Sequence, residues 1–132
     1  MTKLTLGLCQ LRQTYDLERN RAHAYELVRR AAAQGAQMIA LPEMFACAYE
    51  PEAIKALAAI EPAISAECAA LARELGCWLL AGSLPVAFDG GLRNRAQVFG
   101  PNGASVHHHD KIHLFDCQPP DGPLVCESAT VA

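Results

Sequence analysis

The start of the chain predicts a strand, a helix and a second strand, and this order restricts the fold more than any other feature. Leucines alternate with other residues through residues 4–9, which is the period of a strand. Asp16 is placed to cap a helix from Leu17 to Gln34, and Gly35 supplies the left-handed stop that many helices need. Residues 37–41 then form a short apolar strand. A β-α-β unit joins two parallel strands, so the chain is predicted to be an α/β protein.

The pattern that follows predicts one more helical region and three further strands. The helical region runs from Glu52 to Leu75, is interrupted near Pro62, where a new helix would begin, and ends at Gly76. Three strands come next, at Cys77–Gly82, Arg93–Phe99 and Ala104–Lys111, with turns at residues 89–91 and 100–103. The predicted order is therefore β-α-β-α-β followed by a β-hairpin.

The segment after Phe115 differs in composition, with three prolines and no periodic element. Only two helical regions are available for five strands, although a sheet of this kind needs cover on both faces. The length of 132 residues suits a single domain, and no linker divides the chain. We therefore expect residues 1–132 to form one domain, and an incomplete one.

The composition of the chain argues against several classes of function. Hydrophobic residues make up 52% of the chain and charged residues 19%, so a folded core is expected. The net charge is -3 and basic residues are scattered, apart from Arg29 and Arg30, so no nucleic-acid partner is expected. We find no secretory signal and no apolar run long enough for a membrane span, which favours a cytoplasmic protein. No two of the six cysteines have C-x-x-C spacing, so free thiols are expected.

Two charged residues stand where α/β proteins place functional groups. Glu43 follows a predicted strand directly, in the segment ALPEMF, and open α/β sheets place their sites at the carboxyl ends of strands. Lys111 ends the fifth predicted strand, in the segment DKIHLFD. Taken singly, these residues are explained more simply as a solvated loop carboxylate and a solubilising lysine. Glu127, in the segment VCES, carries no meaning by itself.

Four histidines in and after the fifth strand raise the question of a metal site. His107 and His109 share one face of a strand, whereas His108 points to the other face. Two imidazoles on one face are compatible with a metal ion, but no third ligand stands at a recognisable spacing. Ordinary polar strand residues are the favoured interpretation, and we predict no metal site.

Taken together, the segments resemble the nitrilase superfamily of carbon–nitrogen hydrolases. The resemblance covers nearly the whole chain, through the opening strand with Cys9 and Gln10, the segment AAAQGAQMIALPEMF, the strand LGCWLLAGSLP, the hairpin with Asn94 and the segment DKIHLFD. The LPE and KIHLF segments at this separation are specific. KIHLFD is more similar to the omega-amidase and deaminated-glutathione amidase branch than to true nitrilases. The fold implied by this resemblance is the N-terminal half of an α-β-β-α sandwich.

The same resemblance implies a catalytic set of three residues. Glu43 is similar to the family's general base, Lys111 to the lysine that binds the oxyanion, and Glu127 to a second glutamate that follows this lysine in many members. The implied reaction is hydrolysis of a small linear amide through a cysteine thioester, with release of ammonia and then attack by water. No cofactor is implied, and a homodimer is expected from the resemblance alone.

The chain departs from the family pattern at the nucleophile. In the family the nucleophilic cysteine lies on a later strand, and this chain reaches Ala132 without such a segment. Cys126 lies beside Glu127 without a strand-to-helix turn to hold it, and it is not expected to serve. Arg93-Asn94 also replaces the Tyr-Asn of many relatives. We expect a chain truncated before its nucleophile and inactive alone, and the alternative is a truncated, non-catalytic interaction or binding module.

Overall fold

The computed structural model of the chain describes residues 3–122 and 124–132, so Met1, Thr2 and Pro123 lie outside the described part. Two helices, seven strands and one 3-10 turn follow one another in this part of the chain. In chain order these elements are β1 (Leu6–Leu8), α1 (Leu17–Ala33), β2 (Met38–Ala40), α2 (Pro51–Leu75), β3 (Trp78–Phe88), β4 (Gly91–Phe99), β5 (Ser105–Asp110), β6 (Asp116–Cys117), β7 (Val125–Cys126) and the 3-10 turn Glu127–Ala129.

The first five strands form one mixed sheet in the order β1-β2-β3-β4-β5. β1, β2 and β3 are parallel, whereas β4 and β5 pair antiparallel as a meander. A β-α-β crossover joins each parallel pair, as a parallel connection requires. The α/β class and the parallel pairing of the first two strands are therefore confirmed.

Helix α1 begins and ends where the sequence indicates. The Asp16 side chain accepts a hydrogen bond from the Arg19 backbone N–H at 2.9 Å, which satisfies one free donor of the first turn. Ala24 and Val28 are fully buried against the sheet. A Cβ atom at Gly7 would lie 2.8 Å from the Ala31 Cβ atom, so the glycine in β1 allows α1 to pack closely on the strand.

Helix α2 is continuous, so the predicted interruption at Pro62 was wrong. Proline inside a helix removes one backbone hydrogen bond and costs about 3 kcal/mol. Leu57 and Ile64 are fully buried on either side of it, and burying such side chains stabilises by about 1.5–3 kcal/mol each. Both halves of the helix pack on the same sheet, and this packing outweighs the lost bond. Pro62 itself is exposed, so its ring displaces no core side chain.

The two helices cover only one face of the sheet. Ile39, Leu79 and Ala81 point toward the helices and are fully buried. The opposite face carries Leu6 and Leu8, whose exposed fractions are 56% and 81%. The apolar core therefore lies on one side of the sheet, and the other side is an uncovered apolar surface.

The segment after Phe115 is more ordered than predicted. β6 and β7 form a small antiparallel hairpin in which Asp116 pairs with Cys126. The Ala132 backbone N–H donates to the Leu92 carbonyl at 2.8 Å, and Val131 is buried, so the end of the chain is anchored to β4. Strands of two residues are too short to show a period, which explains why the sequence pattern missed them.

Neither α1 nor α2, as described, combines the length and the apolar character that crossing a bilayer requires.

Candidate active site

Three segments that are distant in sequence bring Glu43, Lys111 and Glu127 together at one end of the sheet. Glu43 follows β2, and Pro42 before it prevents the strand from continuing. Lys111 follows β5, and its backbone N–H donates to the Asn94 carbonyl at 2.9 Å. Glu127 begins the 3-10 turn, where its N–H donates to the Phe115 carbonyl at 3.2 Å. The three predicted site residues are thus neighbours, and their catalytic roles stay predictions.

Lys111 is held between two carboxylates. Its Nζ atom lies 2.9 Å from Glu43 Oε1 and 2.8 Å from Glu127 Oε2. Burial works against the charged form of Lys111, but the hydrogen bonds to Glu127 and Glu43 outweigh it and raise the pKa of the ammonium. Lys111 therefore stays charged, and its position is set from two sides.

Glu127 is a buried anion whose hydrogen-bonding capacity is filled. Its side chain has no exposed surface, and it accepts bonds from Lys111 Nζ, from the Phe115 backbone N–H at 2.6 Å and from Asn94 Nδ2 at 2.9 Å. Burial would raise the pKa of Glu127, but these donors and the Tyr49 hydroxyl lower it to about 2. Burial and the Glu127 carboxylate in turn raise the pKa of Tyr49. Glu127 is therefore ionised at every pH at which an enzyme normally works.

Glu43 differs from Glu127 in exposure and in its free oxygen. Its side chain is 48% exposed, and both of its donors, Lys111 Nζ and Asn94 Nδ2, bond to the same oxygen, Oε1. The described residues donate no hydrogen bond to Oε2. The Glu43 backbone carbonyl accepts a bond from Gln13 Nε2 at 3.2 Å, which helps to hold this loop. One oxygen of Glu43 is thus held by two donors, whereas the other is not held.

A β-bulge in β3 shapes the wall beside Glu43. Ala81 pairs with Gln97 and Leu84 with Arg95, so β3 has one residue more than β4 between these pairs. A Cβ atom at Gly82, inside the bulge, would lie 2.9 Å from the Leu41 carbonyl oxygen. Only glycine fits this close approach of two backbones. The bulge brings Ser83 into the buried polar cluster.

Asn94 and Ser83 are site residues to which the sequence interpretation gave no role. Asn94 is buried on β4, and its Nδ2 atom lies 2.7 Å from Glu43 Oε1 and 2.9 Å from Glu127 Oε1. The Ser83 hydroxyl donates to Asn94 Oδ1. Asn94 shares a strand face with apolar Leu92 and Ala96, and a polar amide on such a face is the signal that could have pointed to it.

Two clefts meet at the Glu43–Lys111 pair. The first has a volume of about 460 Å³ and the second about 370 Å³. Besides the pair, the first is lined by Gly82, Ser83, Asn94, Ala96, His109, Ile112 and His113, and the second by Tyr49, Phe115 and Val125. Glu43 and Lys111 line both clefts, so a small molecule in either one reaches the pair.

The cysteines lie away from these clefts in the described part of the chain. None of the six lines either cleft, and all are free thiols. Burial raises the pKa of Cys47 and of Cys68 to about 12. The Cys126 Sγ atom lies 3.5 Å from the Ser128 hydroxyl. The chemistry at hand in this cluster is therefore that of two carboxylates, an ammonium and an amide.

The histidine run follows the alternation expected of a strand. His107 pairs with Val98 and His109 with Ala96, while His108 pairs with Gln97 across β4 and β5. Within residues 3–122 and 124–132, no three His, Cys, Asp or Glu side chains converge as metal ligands would.

Sequence comparison gives the class to which this fold and site belong. The family profile described as carbon-nitrogen hydrolase matches residues 5–132. The chain belongs to the carbon–nitrogen hydrolase family.

Curated relatives of the chain include omega-amidases. It is 37% identical to omega-amidase NIT2 of Xenopus tropicalis over 133 residues, a match that covers 100% of this chain and 48% of the relative. It is 34% identical to the chloroplastic omega-amidase of Arabidopsis thaliana, covering 99% of this chain and 37% of the relative. The chain thus spans at most about half the length of these relatives.

Solved structures of the nitrilase type share the fold. The amidase of Nesterenkonia sp. aligns with a TM-score of 0.79 at 25% identity, covering 98% of this chain and 47% of that one. The NitFhit protein of C. elegans aligns with a TM-score of 0.83 at 24% identity, covering 98% and 34%. The predicted nitrilase-type α/β fold is confirmed.

Proposed function

We propose that this chain supplies the general base and the cationic donor of an amidase that hydrolyses the C–N bond of small linear amides. The observation that supports this most is the environment of Lys111, which is charged and held between one saturated and one half-exposed carboxylate beside a cleft. Acyl transfer requires a base and a donor at the developing oxyanion, and these groups stand together here.

Glu43 is the proposed general base because it alone of the two glutamates has an unoccupied oxygen. In the first step its Oε2 atom takes the proton of a cysteine thiol while sulfur bonds to the amide carbon. The same proton then passes to the nitrogen, the C–N bond breaks, and ammonia leaves a thioester. In the second step Glu43 takes a proton from water, whose oxygen bonds to the thioester carbon, and the proton returns to the departing thiolate.

Lys111 is the proposed oxyanion donor. An ammonium carries three N–H groups, and Glu43 and Glu127 occupy two of them. The third is available for the carbonyl oxygen as negative charge develops on it. Glu127 has the supporting role of fixing Lys111, since its own oxygens are filled.

The nucleophile and the substrate complete the proposal. None of the six cysteines lines the clefts in the described part of the chain, so we propose a cysteine from a part of the parent protein outside these 132 residues. The curated relatives are named omega-amidases, and the substrate we propose is a small linear amide that also bears a carboxylate. No cofactor enters this chemistry. A homodimer and a cytoplasmic location stay expectations.

The proposal is tested by ammonia release from a panel of small amides. We expect no measurable release from the 132-residue chain and turnover by a version extended in frame through the rest of its gene. In the extended protein, Glu43→Gln should lower kcat by about 10²–10⁴-fold, the usual contribution of a general base. Glu18→Gln, an exposed carboxylate at the start of α1, is the matched control and should leave turnover unchanged.

Three results would count against the proposal. Full turnover by the Glu43→Gln variant would remove the general base from its assigned role. Turnover by the 132-residue chain that disappears with Cys126→Ser would show that the chain carries its own nucleophile. A folded extended protein without activity on any amide would favour the interaction module instead.

A further inference from the structure

Asn94 lies where the two carboxylates of the site come together. Its single Nδ2 atom donates to Glu43 Oε1 at 2.7 Å and to Glu127 Oε1 at 2.9 Å. Both N–H groups of the amide are therefore used, one for each glutamate. The Asn94 side chain is a neutral bridge between two negative charges.

The orientation of the Asn94 amide is set by the groups at its two ends. The Met44 N–H donates to Ser83 Oγ at 3.3 Å, and the Ser83 hydroxyl donates its only proton to Asn94 Oδ1. The carboxylates of Glu43 and Glu127 only accept, so Asn94 turns its Nδ2 atom toward them and its Oδ1 atom toward the Ser83 hydroxyl, which donates to it. With Oδ1 occupied by Ser83, the amide presents its nitrogen to the glutamates. The same bond links the loop after Glu43 to the bulge of β3.

The net charge of Glu43, Glu127 and Lys111 favours a neutral hydrogen-bond donor at position 94. Glu43 and Glu127 share one ammonium, so the cluster carries one excess negative charge. Like charges held this close raise each other's energy unless donors lie between them. Asn94 supplies two such donors without adding a charge. A residue of the same shape with an acidic end would place a third anion beside Glu43 and Glu127.

We propose that Asn94, oriented by Ser83, is a positioning residue that holds Glu43 and Glu127 on Lys111 and leaves Glu43 Oε2 free at the cleft. Its effect on turnover rests on the function proposed above. Its effect on the carboxylate pair does not, because the hydrogen bonds lie within the present chain. These two consequences are measured separately.

The first measurement uses the 132-residue chain and the isosteric variant Asn94→Asp. The new carboxyl faces Glu43 and Glu127, so its pKa is raised in the folded state. A raised acid pKa means that the folded state holds a proton which the unfolded state has released, and stability falls as pH rises. Between pH 5 and pH 8 we expect the unfolding constant to increase at least about tenfold relative to the unmodified chain. Asn102→Asp is the matched control, because the single bond accepted by its exposed side chain, from the Ala104 N–H, is also available to Asp.

A second variant covers the case in which Asn94→Asp does not fold. In Ser83→Ala the Asn94 amide loses the partner of its Oδ1 atom, so its side-chain N–H protons should exchange with solvent about tenfold faster by NMR. Ser83→Thr keeps a hydroxyl and should restore slow exchange. Equal pH dependence of Asn94→Asp and Asn102→Asp, or unchanged exchange in Ser83→Ala, would overturn the inference.

The turnover measurement separates this inference from the proposed function. In the in-frame extended protein, Ser83→Ala should lower kcat about tenfold with KM unchanged, and Ser83→Thr should recover it. An unchanged kcat in Ser83→Ala would overturn the positioning role. If no extended protein hydrolyses any amide while Asn94→Asp still shows its pH dependence, the bridge stands and the amidase proposal fails.

Discussion

At the scale of single residues, the site is built from two glutamates whose surroundings give them different properties. Glu127 is buried and accepts bonds from side chains and backbone, so it has no oxygen left for chemistry. Glu43 is half-exposed and is bonded through one oxygen only. Identical side chains thus become a fixed anion and a candidate proton carrier. Environment rather than residue type makes the difference.

The low pKa of Glu127 should make the stability of the chain depend on pH. A pKa near 2, compared with an ordinary 4.5, corresponds to about 3 kcal/mol for Glu127. Because the folded pKa is the lower one, this stabilisation is complete above pH 4.5 and is lost as pH falls toward 2. Glu127→Gln should therefore reduce the free energy of unfolding by about 3 kcal/mol at pH 7 and by little at pH 2. Urea unfolding at a series of pH values measures this difference.

The control for this experiment is the same substitution at an exposed ion pair. Glu52 lies 3.1 Å from Lys55, and its side chain is 88% exposed. Exposed pairs contribute between zero and about 1 kcal/mol. Glu52→Gln should therefore change stability little at any pH. A Glu127→Gln variant whose stability deficit is the same at pH 7 and pH 2 would contradict the assignment of a low pKa to Glu127.

Sequence reasoning reached part of this site. The LPE, KIHLF and CES segments marked Glu43, Lys111 and Glu127 through their resemblance to one family. Asn94 and Ser83 were not given roles, because each acts through hydrogen bonds to residues far away in sequence. A strand pattern records which face a residue occupies, but it does not record its partners. Buried polar partners become visible only in three dimensions.

At the scale of elements, the bulge in β3 links the fold to the site. Gly82 is pressed against the Leu41 carbonyl, and Ser83 beside it bonds to Asn94. In Gly82→Ala the new methyl group would lie 2.9 Å from that oxygen, so the strand or the loop must shift. We expect a loss of about 1–3 kcal/mol, as for other overpacked sites. In the extended protein, turnover should fall as well.

Gly91 is the matched control for Gly82. It lies at the start of β4 in the same sheet, and a Cβ atom there would meet nothing closer than 3.8 Å. Gly91→Ala should change the free energy of unfolding by no more than about 0.5 kcal/mol, as most exposed substitutions do. Equal stability of the two alanine variants would show that the close approach at Gly82 is not tight.

Pro62 offers a test of the continuous helix α2. Its ring removes one backbone hydrogen bond and is exposed, so it contributes no packing. Pro62→Ala should therefore stabilise the chain by about 1–2 kcal/mol, less than the full helix penalty because proline also restricts the unfolded chain. Thermal and urea unfolding measure the gain. Ala66 is exposed one turn later, and Ala66→Gly should lower the free energy of unfolding by about 1 kcal/mol. A Pro62→Ala variant that is less stable than the unmodified chain would contradict a continuous helix at Pro62.

The elements that the sequence predicted are those with a sustained period or a clear stop signal. Helix α1 with its Asp16 cap and the first two strands follow such patterns, whereas β3 continues to Phe88, beyond its predicted end at Gly82. Two misses have physical causes. The break at Pro62 was wrong because packing on both sides outweighs one lost bond, and the hairpin of β6 and β7 was missed because pairs of residues show no period.

At the scale of the whole molecule, the two faces of the sheet differ in how much of their apolar surface is buried. The helices bury Ile39, Leu79 and their neighbours on one side. On the other side Leu6, Leu8 and part of Trp78 face outward. In the α-β-β-α sandwich that the family resemblance implies, a second sheet packs on such a face. Without that cover, contact between apolar surfaces is favourable.

We therefore predict that the 132-residue chain associates with itself through the uncovered face of the sheet. The contact removes the exposed surface of Leu6 and Leu8 from water at roughly 25 cal/mol per Å². The short edge strand β1 adds unpaired backbone groups that a second chain can join. Light scattering and sedimentation over a range of concentrations should show mass increasing with concentration. The double variant Leu6→Glu, Leu8→Glu should be monomeric over the same range.

A matched double variant separates this face from a general effect of charge. Tyr15→Glu with Ile60→Glu adds the same two charges, at side chains that are exposed by 74% and 38% and lie away from that face of the sheet. It should associate as the unmodified chain does, because its apolar sheet face is intact. A chain that stays monomeric at all concentrations would contradict the prediction. Equal loss of association in both double variants would show that net repulsion, rather than this face, controls assembly.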